Sequence, residues 1–101
     1  MAKYHAVRTT VDGITFASKK EAARFVELRL MERAGEIGQL TLQPVWPLVV
    51  NGVKICNYIA DFQYRTPVGR IVEDVKGVKT PVYKLKKKLM LAVYGIEIYE
   101  T

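Results

Sequence analysis

Ile71-Val72-Glu73-Asp74-Val75-Lys76-Gly77 is the stretch on which the reading of this sequence turns. Its β-branched residues mark a strand. Side chains alternate along a strand with a period of two, so Asp74 and Lys76 share one face and Glu73 points to the other. A carboxylate and an ammonium two residues apart can then line one pocket. Just beyond, Thr80-Pro81 supplies an N-cap and a proline at the first helical position, and Gly95 stands where a left-handed residue closes a helix. Between them Val82, Leu85, Leu89, Ala92 and Val93 recur at helical spacing and predict a core face. Lys84, Lys87 and Lys88 fall opposite, with Lys86 at the border. A last strand is expected from Ile96 to Tyr99.

Upstream, Asn57-Tyr58-Ile59-Ala60-Asp61-Phe62 embeds an aspartate in an apolar strand. An ionised carboxylate is costly there unless it is paired or bound to a metal. If this strand neighbours the one carrying Asp74, the two acids can converge on one hard cation, which prefers oxygen ligands. Asn51-Gly52 and Thr66-Pro67-Val68-Gly69 are turn signals, so the chain from Leu42 reads as a three-strand meander. Pro44 and Pro47 cannot donate ladder hydrogen bonds and put its first strand at an edge or on a bulge. Nearer the start, Asp12-Gly13 between Thr9-Thr10-Val11 and Ile14-Thr15-Phe16 predicts a short hairpin. Ser18 with Glu21 three residues on forms a capping box ahead of Ala22, Ala23, Phe25, Val26, Leu28, Leu30 and Met31, so a helix begins at Ser18 and stops at Gly35.

The order is hairpin, helix, three strands, helix, strand, which predicts an α/β (α+β) fold without internal repeats. One domain is expected over residues 1–101, with 1–17 as a hairpin or arm and 18–101 as the core. The chain has 101 residues, half of them apolar, and 16 Lys+Arg against 10 Asp+Glu, a net charge of +6. That excess favours a polyanion such as nucleic acid as partner, with an anionic membrane surface as the competing reading. Cys56 is the single cysteine and His5 the single histidine, which excludes an intramolecular disulfide, a zinc finger and a His-based triad. No apolar run approaches the roughly 18 residues of a membrane span, and the N-terminus lacks a secretory pattern. A soluble, cytoplasmic protein is expected.

The order helix with an acid, strand, strand with Asp61, strand with Asp74-Val75-Lys76, helix, strand resembles the core of the PD-(D/E)XK nuclease superfamily, with Ala60 where a proline is usual. More narrowly, six ordered blocks are similar to a family of small bacteriophage endonucleases that includes Holliday junction resolvases. They are Phe16-Ala17-Ser18-Lys19-Lys20-Glu21-Ala22, Ala34-Gly35-Glu36-Ile37, Leu42-Gln43-Pro44, Tyr58-Ile59-Ala60-Asp61-Phe62, Glu73-Asp74-Val75-Lys76-Gly77 and Tyr83-Lys84-Leu85-Lys86. The likeness runs from about residue 7 to the end of the chain. It implies a restriction-endonuclease-like core, a mixed sheet flanked by helices and preceded by the short hairpin. It implies Asp61 and Asp74 as ligands of one or two Mg²⁺ or Mn²⁺ ions, with the Val75 carbonyl as a further ligand and no organic cofactor. Glu21 matches an additional metal-binding acid of several branches, although capping explains it about as well. Lys76 would orient the attacking water and stabilise charge on the scissile phosphate. Cleavage would leave 5′-phosphate and 3′-hydroxyl ends.

The catalytic set so implied is Glu21, Asp61, Asp74 and Lys76. The chemistry suits it, because a phosphodiester repels hydroxide and a cation is needed to neutralise it and generate the nucleophile. Lys3, Arg8, Lys19 and Lys20 precede the site in sequence, and Lys79, Lys84, Lys86, Lys87 and Lys88 follow it. These would hold phosphates, a sequence-independent contact suited to structure-selective cutting of branched DNA such as four-way junctions. Lys86, bordering the buried helix face, is the one expected nearest the active centre. Two symmetric cuts by a chain with one site imply a homodimer, with the hairpin and exposed parts of Phe16, Trp46 or Tyr94 as candidate contacts. The alternatives are the same chemistry on another DNA structure, or an inert DNA-binding module.

Overall fold

Residues 7–101 are described by the structure, a computed structural model. Strands β1 (Thr9–Val11) and β2 (Ile14–Phe16) close through Asp12 and Gly13, at φ 51° and 77°. Two successive positive φ values match the twist of the paired strands. Helix α1 (Lys19–Arg33) opens on Ser18, whose Oγ accepts from the Glu21 N–H at 3.1 Å. It closes where Gly35 and Glu36 donate back to Glu32 and Met31 at 3.0 and 2.9 Å, the paired bonds that satisfy a helix's last carbonyls.

Five strands follow where three were expected. They are β3 (Gly38–Leu42), β4 (Val45–Val50), β5 (Val53–Ile59), β6 (Phe62–Thr66) and β7 (Gly69–Asp74). Two corners make the difference. Gln43, at φ 50°, turns the chain ahead of Pro44, and a bend at Asp61 divides the apolar run that reads as one strand into β5 and β6. Asp61 is therefore not inside a strand. The β4–β5 hairpin leaves the main sheet as a two-stranded ribbon, so Pro47 sits on an edge strand, and the register shift between Leu48 and Val49 supplies the bulge. Helix α2 (Pro81–Tyr94) is capped by Thr80 Oγ1 accepting from Tyr83 N–H at 3.1 Å and by left-handed Gly95. The final strand, β8, covers only Tyr99–Glu100.

The main sheet has the order β3-β6-β7-β8, antiparallel except for the parallel β7–β8 pair. It is a mixed sheet in an α+β fold, with one helix against each face. On one face α1 and the first hairpin bury Phe16, Phe25, Leu28, Phe62 and Tyr64. On the other, α2 and the β4–β5 ribbon bury Leu48, Tyr58, Val72, Met90 and Ile98. Each large side chain fully enclosed this way contributes about 1.5–3 kcal/mol.

Helix α2 does not present the face that its spacing predicts. Tyr83 and Met90, seven residues apart, enter the core, whereas Val82, Leu85 and Ala92 are exposed and Leu89 and Val93 are half-buried. The buried stripe is rotated by about one residue, roughly 100° on a helix, because the core takes the larger Tyr83 ring in place of Val82. Among the described residues, no helix is long and apolar enough to cross a membrane.

Candidate functional site

The bend between β5 and β6 meets the end of β7, and there the chain assembles its acids. Asp61 is held through its own backbone: its N–H reaches Glu73 O at 3.2 Å and its carbonyl accepts from Gln43 at 3.0 Å. Its side chain crosses to the neighbouring strand, where Oδ2 accepts from Val75 N–H at 2.8 Å. Asp74 answers in the opposite direction, with Oδ1 accepting from Asp61 N–H at 3.1 Å and Oδ2 from the hydroxyl of Tyr58. The two aspartates are thus locked together by reciprocal side-chain-to-backbone bonds. After Asp74 the chain leaves the strand, yet Thr101 continues the β8 ladder. Its N–H donates to Asp74 O at 3.0 Å and its carbonyl accepts from Lys76 N–H at 3.1 Å. Lys76 therefore lies beyond β7 rather than on it, but it still reaches the same side as Asp74, with Nζ 3.4 Å from Asp74 Oδ2.

Both aspartates are pushed up to about 6 from an ordinary 3.8. For Asp61 burial is the main cause, opposed by the bond from Val75 and reinforced by the negative charge of Glu21. For Asp74 burial again dominates, opposed by the Tyr58 hydroxyl and reinforced by Asp61. Neighbouring carboxylates that resist ionising together are what a cation would relieve. Glu21 shares with Asp61, Gln43 and Phe16 a pocket of about 140 Å³. Its Oε2 accepts from Ala17 N–H at 3.4 Å, one residue before the Ser18 N–H of the expected capping box. Glu21 thus both stands at a helix start and faces Asp61. Among the described residues no three His, Cys, Asp or Glu side chains close into one metal-holding cluster. The oxygen donors available to a cation are the Asp61–Asp74 pair, with Glu21 flanking it.

Two tyrosines that the sequence reading passed over complete the surroundings of Lys76. Tyr58 hydrogen-bonds Asp74, and its own ionisation is driven far upward by burial and by that carboxylate. Tyr83 lies under Lys76, with Nζ 3.9 Å from the ring centroid, a cation over a π face. The Tyr83 hydroxyl donates to Glu100 at 2.6 Å. Nothing in the local sequence marks these tyrosines, since each is an aromatic in an apolar pattern. Arg24 was also passed over; it forms a bidentate pair with Glu73 on the opposite face of β7, at 2.7 and 2.9 Å.

The expected cations divide into groups. Lys3 lies outside the described residues. Arg8 and Lys19 are exposed, and Lys20 is exposed with Nζ donating to Lys76 O at 3.2 Å, which ties the start of α1 to the site. Lys86 donates to Asn57 O at 2.8 Å and lines with Lys76 a groove of about 260 Å³ beside the acids. Lys79, Lys84, Lys87 and Lys88 line a separate groove of about 480 Å³ beyond Tyr83. Within it Glu100 accepts from Lys79 and Lys87 at 3.1 and 3.2 Å and is pulled down to about 2, chiefly by the Tyr83 hydroxyl.

No curated protein and no solved structure matches the chain. A family model does match, over residues 1–98, and the chain belongs to that family, described as "Protein of unknown function (DUF1064)".

Proposed function

We propose that the protein is a divalent-metal-dependent endodeoxyribonuclease with a restriction-endonuclease-like core, acting as a homodimer on branched DNA and most readily on four-way junctions. The observation that carries this reading is the interlocked Asp61–Asp74 pair, both raised to about 6, with Lys76 Nζ 3.4 Å from Asp74. A fold that needed these acids only for structure would neutralise them, as it neutralises Glu73. The donor set fits Mg²⁺ or Mn²⁺: all oxygen, few protein ligands, and room for water and a phosphate oxygen. Asp61 and Asp74 would hold the ion, with Glu21 as the flanking acid and the Val75 carbonyl as a further donor. When bound, the ion supplies charge neutralisation of the phosphate and a water of lowered pKa.

The chain's own residues account for the rest. Lys76 is aimed by the Tyr83 ring and by Asp74, so its ammonium can orient the attacking water and offset charge growing on the phosphate. Tyr58 donates to Asp74 Oδ2 and, with the Asp61 N–H on Oδ1, fixes the orientation of that carboxylate. Lys20, Lys86 and the lysines around Glu100 lie on both sides of the acids and suit backbone phosphates without reading bases. The lysine groove equally suits an inert DNA-binding module.

The test is incubation of the protein with a labelled four-way junction and a matched duplex, in Mg²⁺ or in EDTA, beside Asp74→Asn. The expected result is paired nicks on the junction, absent in EDTA and in Asp74→Asn, which still binds DNA. Cleavage of both substrates discards the junction preference and keeps the nuclease. Binding without metal-dependent cutting selects the inert module.

A further inference from the structure

Val82, Leu85, Leu89 and Ala92 follow one another on α2 at intervals of three, four and three residues, the spacing of a seam that packs against another helix. The fold leaves most of that seam uncovered: Val82 is 62% and Leu85 57% exposed and Ala92 is exposed, while Leu89 is half-buried against the core. It does not stand alone. Lys86, by donating to Asn57 O at 2.8 Å, ties α2 to β5, and Ile59 of β5 lines the same groove as Val82. Ile59 pairs across the ribbon with Val45, Ile55 lies unpaired at the bulge, and all three are 56% exposed. Val82 and Ile59 thus bring the exposed part of the helix seam beside the apolar side chains of the ribbon, at a groove that Lys76, Lys86, Asn57 and Thr80 also line.

We propose that this surface seats a second copy of the same chain, packed about a two-fold axis with α2 against α2 and the ribbons alongside. The five most exposed side chains offer roughly 500 Å² of apolar area, in the upper range for a patch on a monomer. A stable interface takes about 800 Å² from each partner, which the rim around Asn57 and Thr80 and the open edge of β5 can complete. An identical seam is the natural complement of a three-four spacing, since a two-fold contact requires each patch to match itself. A polyanion gains little on these uncharged side chains when the lysine groove lies elsewhere on α2. Of the side chains expected from sequence at a dimer contact, Phe16 is buried and Trp46 packs edge-on against Tyr94 at 4.9 Å.

The consequence for paired cutting rests on the nuclease reading, because Lys76 borders the surface and a two-fold would bring both sites to one side. The association itself does not. The test is sedimentation of the full chain from about 1 to about 100 μM, comparing the unsubstituted protein with Leu85→Glu and with Ile59→Lys. Circular dichroism checks folding, and glutamate keeps good helix propensity. A dimer is expected for the unsubstituted protein, with at least about 30-fold weaker association in each variant. A monomer throughout the range, or folded variants that associate as well as the parent, overturns the proposal. Should one variant fail to fold, the other decides. Asp74→Asn is sedimented as well and is expected to dimerise, so a failed cleavage assay and a failed dimer are separate results.

Discussion

Glu73 and Asp74 are consecutive residues of β7, 0% and 1% exposed, and they face opposite sides of the sheet. Around Glu73 the fold is generous. Arg24 gives two hydrogen bonds at 2.7 and 2.9 Å, Tyr64 donates at 2.6 Å and Thr101 Oγ1 at 3.1 Å. Around Asp74 the one nearby cation among the described residues, Lys76, stands at 3.4 Å while a second carboxylate, Asp61, is bonded into the same cluster. Two enclosed acids one residue apart therefore have opposite electrostatic settings: one is neutralised inside the protein, the other is left short of positive charge. A buried acid that the fold satisfies serves the fold, and one that it leaves unsatisfied points to something that arrives from outside.

The contrast can be broken first at Arg24. Arg24→Met strands the Glu73 charge and is expected to cost about 3–5 kcal/mol in urea unfolding; a loss under about 1 kcal/mol would mean that Glu73 is not held as an ion pair. Replacing Glu73 by glutamine in the same chain should recover much of that cost. On the other face, Lys76→Met should leave unfolding nearly unchanged and lower the junction-cleavage rate by about 10²–10³. Equal losses in stability and rate would assign Lys76 to structure.

The third test uses pH. The folded-state values of Asp61 and Asp74 lie above the ordinary one, so protonation favours the fold. That contribution is full below about pH 4 and is lost as pH rises through about 6. Without divalent ions Tm should fall across that window, and added Mn²⁺ should restore it at pH 7. Asp61→Asn should flatten the dependence and gain about 0.5–2 kcal/mol at pH 7. At Glu21 the expected stability effect is small: Glu21→Gln costs at most about 1 kcal/mol, since the capping oxygen belongs to Ser18. A clear drop in Mn²⁺ affinity by titration calorimetry would add Glu21 to the ion's ligands, and an unchanged affinity would confine it to the helix start.

The two Asx-Gly hairpin turns, both helix starts and the opposite orientation of Glu73 and Asp74 were legible in the sequence because each depends on local rules: positive φ at Asx-Gly pairs, side-chain caps, and the period of a strand. The pairing of Asp61 with Asp74 was legible as a conditional, since an acid in an apolar run needs a partner. The split of the meander into five strands was not, because the Gln43 and Asp61 corners are held by long-range backbone bonds, from Gln43 N–H to Asp61 O and from Asp61 N–H to Glu73 O. Nor were the partners of the site. Tyr58 and Tyr83 come from two different elements, and the period of each element is silent about which neighbour it will meet.

Helix α2 marks the boundary most plainly. By itself the sequence determined that a helix runs from Thr80 to Gly95 and that it carries an apolar stripe at Val82, Leu85, Leu89, Ala92 and Val93, since caps and spacing are properties of the segment alone. Only the tertiary structure decided which side of that helix is core. The space beside Val72, Leu48 and Ile98 is filled by Tyr83 and Met90, and packing density in a closed core outweighs the tidier stripe.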